Sequence, residues 1–233
     1  MFWFGLLFCV MVVWWLGYRF TLYCEQSSPA DWGSPATTRI AGFIRLFCLK
    51  VHHLDYEPLP LPKNGGVLVA ANHISGLDPL LLIAASPRPL RFLIAREQYQ
   101  RFGLQWLFRR AQCIPVDREG RPERALREAL RALEAGDALA VFPHGKIHLD
   151  TDPPRKLKGG VIRLAHKTGC PIFPVRLDDV RGAGHTLAAV VIPSRSKLKV
   201  YSPLDCTALS HEACLTTLTA LLERPASVEN VHS

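Results

Sequence analysis

The run Val67-Leu68-Val69-Ala70-Ala71 leads directly into Asn72-His73-Ile74-Ser75-Gly76-Leu77-Asp78-Pro79, so a histidine ends an apolar stretch and a carboxylate follows five residues on. Five small or branched apolar residues read as a buried strand. Open α/β sheets build their sites at the carboxyl ends of such strands. An imidazole takes a proton from a hydroxyl only when it is neutral and oriented. A carboxylate on its other ring nitrogen fixes the tautomer and stabilises the imidazolium that forms. His73 and Asp78 fit that base and its orienting partner, with Asn72 and Ser75 beside them as candidate substrate contacts. The same residues also fit a plainer arrangement, in which Asp78 caps the helix that Pro79 opens and His73 is a loop residue.

Three later segments extend the pattern. Cys113-Ile114-Pro115-Val116-Asp117-Arg118 ends an apolar run with an arginine, and Val141-Phe142-Pro143-His144-Gly145-Lys146 ends another in a basic, glycine-containing loop. Gly169-Cys170-Pro171-Ile172-Phe173-Pro174-Val175 is a strand bracketed by prolines. In this order and with these separations, the segments resemble the four sequence blocks of the glycerolipid acyltransferases that carry an H-x4-D motif, typified by 1-acylglycerol-3-phosphate acyltransferase. The resemblance runs from about Val67 to Val175 and takes in Lys158-Gly159-Gly160.

The resemblance implies acyl transfer without a covalent enzyme intermediate. His73 would deprotonate a lysolipid hydroxyl, Asp78 would orient it, and the hydroxyl oxygen would attack the thioester of acyl-CoA or acyl carrier protein. These are co-substrates, so no cofactor is expected. Arg118 matches the basic residue of the second block, where the guanidinium fork suits a phosphate. The third block departs from the family's usual Phe-Pro-Glu-Gly-Thr-Arg-Ser: here it reads Phe142-Pro143-His144-Gly145-Lys146-Ile147-His148. His144 replaces the glutamate, Ile147 stands at the arginine position, and Lys146 is the nearest cation. His144, Gly145 and Lys146 are expected at the acceptor. His144 and His148, followed by Asp150 and Asp152, have metal-ligand residue types, but Gly145 argues against one helical face and no Glu-assisted zinc signature is present, so no metal is assigned.

A lysophospholipid acceptor, 1-acylglycerol-3-phosphate first, is therefore expected. The alternatives are another lyso-lipid (an amino-acid lipid or glycolipid) and a non-catalytic lipid-binding protein on the same fold. A serine hydrolase is disfavoured by the absence of a G-x-S-x-G turn.

The elements that must position these residues follow from periodicity. Candidate strands are 67–71, 91–95, 113–116, 138–142, 172–176, 187–192 and 198–201; candidate helices are 79–85, 97–110, 122–135, 160–168 and 211–222. Their alternation predicts an α/β domain over residues 61–233, a mixed sheet flanked by helices. Ahead of it lie two apolar devices. Met1–Tyr18 has no charged residue and as a helix would reach about 27 Å, which predicts a membrane-inserted segment; it lacks the basic start of a signal peptide. Within 19–60, Ile40, Phe43, Ile44, Phe47, Val51 and Leu54 recur at helical spacing. That stripe fits an amphipathic helix on a membrane surface or one packed on the domain.

With 48% hydrophobic and 21% charged residues, the composition excludes a largely disordered chain. The net charge of +8 favours an anionic partner, and 11 arginines against five acidic residues between Arg88 and Arg131 place six of those charges in one segment. Those arginines are not interleaved with aromatics, so membrane lipid and acyl-CoA or acyl carrier protein are the expected partners, not nucleic acid. The seven cysteines are scattered, with no C-x-x-C, and read as reduced thiols of a domain on the cytoplasmic face of a membrane.

Overall fold

The run at 67–71 becomes the most enclosed strand of a seven-stranded sheet. The structure, a computed structural model, describes residues 2–100, 103, 105–117, 122–153 and 155–223. Strands are β1 (Asp55–Tyr56), β2 (Val67–Ala71), β3 (Leu90–Ala95), β4 (Ile114–Val116), β5 (Ala138–Val141), β6 (Ile172–Asp178) and β7 (Lys197–Val200). Helices are α1 (Phe2–Ser27), α2 (Pro35–Lys50), α3 (Asp78–Ala85), α4 (Arg96–Tyr99), α5 (Gln105–Arg110), α6 (Pro122–Glu134), α7 (Gly160–Thr168), α8 (Ala188–Val191) and α9 (His211–Leu222). The sheet order is β1-β7-β6-β2-β5-β3-β4, parallel except where β7 runs against β6.

Alternate residues of β2 face opposite sides, as a pleated strand requires. Val67, Val69 and Ala71 join a core with α3 residues Leu81 and Leu82, while Leu68 and Ala70 join a second core with α6, α7 and α9. Because both faces are covered, β2 is apolar throughout and wholly buried. The expected mixed sheet between helical layers is the observed architecture.

The helix α3 that follows β2 packs in the first core, and α7, which follows the neighbouring β5, packs in the second. Adjacent parallel strands whose helices leave to opposite sides open a crevice beyond their carboxyl ends. The residues after β2 and β5 must therefore line it.

Ahead of the domain, α1 runs nine residues past the expected segment and is long and apolar enough to cross a membrane by length and composition. Trp3, Trp14 and Trp15 are exposed along it. Its last turns pack on α2, where a Cβ on Gly42 would fall 1.6 Å from the Cys24 carbonyl oxygen, and Glu25 pairs with Arg39 Nε at 2.8 Å. The start of α2 is set by Ser34, whose hydroxyl accepts from the Thr37 N–H, with Pro35 at the first helical position. Its apolar stripe divides: Ile44 and Phe47 pack on the first core, while Phe43 stays exposed beside Phe20 of α1.

Four expectations need correction. Within residues 187–192, Ala188–Val191 form the short helix α8, not a strand, with Ala189 buried in the first core and Leu187, Val191 and Ile192 exposed. The helix expected over 97–110 is two, α4 and α5, with Gly103 between them at φ 81°. The two-residue β1 was too short to leave a periodic signal. Cys206 and Cys214 are joined by a disulfide, their Cα atoms 5.8 Å apart, because the loop before α9 folds back on its first turn. Cys9, Cys24, Cys48, Cys113 and Cys170 are free thiols, and burial pushes Cys48 up to about 12 and Cys113 to about 11.

His52, wholly buried beyond α2, bonds through Nδ1 to the Ser194 hydroxyl at 2.8 Å and through Nε2 to the Val190 carbonyl at 3.1 Å. It thereby ties α2 to α8. Burial lowers its pKa, more than the Val190 carbonyl raises it, with His53 adding to the lowering. Folding thus favours the neutral ring: its contribution to stability is complete above the unfolded value near 6.5 and is lost as pH falls below it toward the lowered folded value. The thermal midpoint should therefore drop between pH 7 and pH 5. His52→Gln, which cannot gain that proton, should flatten the slope, and an unchanged slope would exclude His52 as a source.

Candidate active site

The four donors around Asp78 define the site. Its carboxylate is fully buried. Oδ2 accepts from His73 Nδ1 at 2.8 Å, from the Ile74 N–H at 2.7 Å and from the Ser75 N–H at 2.9 Å; Oδ1 accepts from the Ser75 hydroxyl at 2.6 Å. Both backbone donors precede the aspartate in sequence, so the carboxylate turns back onto the 72–77 loop and does not cap α3. That decides between the two readings of the sequence. With Nδ1–H directed at a carboxylate, the basic lone pair of His73 is on Nε2.

The loop is held from several directions. Asn72 donates from its amide nitrogen to the Leu177 carbonyl at 2.9 Å and accepts the Leu177 N–H at 2.7 Å, fastening the end of β2 to β6. The His148 N–H donates to the His73 carbonyl at 2.7 Å, and the Gly184 N–H to the Ile74 carbonyl at 2.8 Å. A Cβ on Gly76 would lie 2.1 Å from the Thr186 carbonyl oxygen, so only glycine allows the two loops to touch. The His73 ring stacks on Phe142, centroids 4.3 Å apart, and its side chain keeps 19% exposure.

His73 lines a cavity of about 550 Å³. Its other walls are mostly apolar side chains, among them Ile40 and Ile44 of α2, Leu80 and Ile83 of α3, Phe108 of α5 and Val190 of α8, with Thr37, Gln98 and Thr186 also in the lining. A small polar molecule would gain little from such walls; an alkyl chain would gain about 0.8 kcal/mol per methylene removed from water.

The sequence-level candidates divide on placement. His73 and Asp78 are brought together, and Gly145 lines the cavity beside His73. Asn72 and Ser75, expected at the substrate, are buried and direct their polar groups to Leu177 and Asp78. Lys146 is exposed. His144 is only 2% exposed and turns to Glu223, its Nε2 3.3 Å from Oε1, with the His148 ring stacked 4.8 Å away. Burial lowers the His144 pKa against the opposing pull of Glu223. Arg118 lies outside the described residues.

Lys158, not a candidate from the sequence, packs against the glycine of the third block. Its Nζ is 2.8 Å from where a Cβ on Gly145 would stand, so Gly145, at φ 73° and lining the His73 cavity, makes room for the ammonium. The Lys-Gly-Gly sequence was the available signal, read only as a helix start. Arg176, 3% exposed on β6, binds Asp150 and Asp178 and donates to the Leu222 carbonyl, fixing the segment that follows the third block.

Comparison with known proteins gives the family and the fold. The acyltransferase family model matches residues 49–178. A Mycoplasma pneumoniae protein named a probable 1-acyl-sn-glycerol-3-phosphate acyltransferase is 34% identical over 136 residues, 55% of this chain and 49% of that protein. The N-acylphosphatidylethanolamine synthase of Arabidopsis thaliana is 31% identical over 126 residues, 50% of this chain and 44% of the relative. The chain thus spans about half the length of these curated relatives. The crystal structure of the 1-acyl-sn-glycerophosphate (LPA) acyltransferase from Thermotoga maritima superposes with a TM-score of 0.63 at 23% identity, over 81% of this chain and 79% of that one, which establishes the shared fold.

The geometry orders two variants by stability. Asp78→Asn replaces an acceptor of four hydrogen bonds by a group with one acceptor oxygen and sets an NH2 against existing donors. The expected loss is about 1–3 kcal/mol. His73→Ala removes one partner, the ring that keeps 19% exposure, and should cost less. Chemical denaturation of both variants checks the order, and a larger loss for His73→Ala would mean that the loop is not built around Asp78.

Proposed function

We propose, from the premise that this chain belongs to the acyltransferase family, that it transfers a fatty acyl group from an acyl thioester to a hydroxyl of a lysophospholipid, with 1-acylglycerol-3-phosphate as the leading acceptor. The observation that carries this reading is the His73–Asp78 pair opening onto an apolar cavity: a base for a hydroxyl and a place for an alkyl chain share one wall.

The chemistry follows from the two ring nitrogens. Nε2 of His73 takes the acceptor's hydroxyl proton as its oxygen attacks the thioester carbonyl, and Asp78 stabilises the imidazolium across the 2.8 Å contact at Nδ1. When the tetrahedral intermediate collapses, the C–S bond breaks and the imidazolium returns the proton to the thiolate. An ester and a free thiol result, with no covalent enzyme intermediate and no cofactor. The donor is acyl-CoA or acyl carrier protein. Asn72 and Ser75 act as positioning residues in this reading.

An anionic head group is served by Lys158 beside Gly145, with Lys146 and Arg118 as the cations expected from the sequence. The exchanged third block supports testing lysolipids with amino and sugar head groups beside the phosphate. In this reading the helix α1 is the anchor, and the basic residues of α2 that follow it favour a cytoplasmic catalytic part. Leu187, Val191 and Ile192 of the α8 segment are exposed, and Leu187 also lines the cavity, so this lip meets the same membrane.

The reading is tested by incubating detergent-purified protein with a lysolipid panel and labelled acyl-CoA or acyl carrier protein, with products read by mass spectrometry. Lysophosphatidic acid should be acylated, and His73→Ala should lower kcat/KM by about 10²–10⁴. Near-normal turnover by His73→Ala would sink the mechanism. Lys158→Ala should raise the acceptor KM more than Lys146→Ala, the loss of one charge-assisted contact being about 1.5–3 kcal/mol.

Membrane attachment has a separate test. Deleting residues 1–18 should weaken attachment to vesicles, and Leu187→Asp with Val191→Asp should weaken activity on bilayer substrate more than on micelles. Release of the full chain by high salt alone would exclude an apolar anchor.

A further inference from the structure

We propose that His144, His148 and Glu223 form a binding site for one divalent transition-metal ion of the zinc class. The three side chains offer ligand atoms that all lie within 4.8 Å of one another. The separation of His144 Nε2 from Glu223 Oε1 is 3.3 Å. That is long for a hydrogen bond to a carboxylate, and it is close to the edge of a tetrahedron, about 3.4 Å, spanned by ligands at 2.0–2.1 Å from one ion.

The surroundings support a ligand role. His144 is 2% exposed and its Nδ1 has no hydrogen-bond partner, so as a hydrogen-bonding residue it is poorly served. His148 Nδ1 stands 3.7 Å from Asp152 Oδ2, an ion-pair separation longer than a hydrogen bond. Glycine 145 does break the helix that a two-histidine face would need, yet the loop brings the two rings within 4.8 Å without one. Two imidazoles and one carboxylate suit zinc, cobalt or nickel, whereas calcium and magnesium prefer all-oxygen sets.

The site lies beside the reaction centre and takes no part in the proton transfer. Glu223 follows the last residue of α9, and His148 is the residue whose N–H holds the His73 carbonyl. A bound ion therefore fastens the end of α9 to the loop that supports the general base.

The test uses full-length detergent-purified protein, stripped with a chelator and titrated with Zn²⁺ against a chromophoric competitor. One equivalent should bind, and Glu223→Gln and His144→Ala should each weaken binding by at least about 100-fold. Because His144→Ala is at a buried position, Glu223→Gln is the decisive variant: Zn²⁺ should raise the thermal midpoint of the wild type and not of Glu223→Gln. Cobalt substitution should give weak visible ligand-field bands without sulfur-to-metal charge transfer, separating this site from the free thiols. Absence of a stoichiometric site, equal affinity in Glu223→Gln, or a charge-transfer band from thiolate would each overturn the proposal. None of these readouts depends on acyl transfer.

Discussion

A carboxylate with no exposure to water is the fixed point of this molecule. Moving an ionised group out of solvent costs several kcal/mol unless other dipoles replace the water. Asp78 is compensated by four donors, three of them on Oδ2. Two are backbone N–H groups, so the path of the 72–77 loop is dictated by the charge it must surround. The fourth constraint is His73: once the loop is wrapped, one ring nitrogen is committed and the other has to face the crevice. The residue that orients the base thus also builds the loop carrying it.

That loop could not stand where it does without the divergence of α3 and α7. β2 and β5 are paired in register from Val67 with Ala138 to Ala70 with Val141, so the segments leaving them begin side by side. Their helices depart to opposite faces, and the gap is filled from above by Phe142, the 182–186 loop and α2. Phe142 belongs to the third block but touches His73, and Phe92 stacks on it in turn, 6.4 Å away. The imidazole is thereby backed by Phe142, which is itself backed by Phe92 of β3.

The sequence made much of this legible because the relevant signals are local. A strand followed by His-x4-Asp needs only six residues to state both the base and its orientation, and the apolar runs of β2, β5 and β6 are nearly unbroken because those strands are covered on both faces. What it concealed is decided by distant partners. Asn72 looks like a substrate contact until Leu177, 105 residues away, takes both ends of its amide. Leu187–Ile192 has strand composition, yet Ala188–Val191 close a helical turn that buries only Ala189 in the first core. The Cys206–Cys214 bond depends on a fold-back that eight residues of spacing do not announce.

The third block shows how one exchanged residue can be read at two levels. At the level of sequence, His144 for glutamate looks like a change in how the acceptor is held, coupled to the loss of the arginine at position 147. In three dimensions His144 is 2% exposed and directed at Glu223, so the exchange acts on the attachment of α9. A cation does stand beside this block, since the Lys158 side chain lies across Gly145 while its own N–H donates to the Pro143 carbonyl at 2.9 Å. That backbone bond fixes the register between the block and the segment 15 residues later. Gly145 is then the pivot of the arrangement: its φ of 73° turns the chain, and its missing Cβ leaves the space in which the ammonium lies.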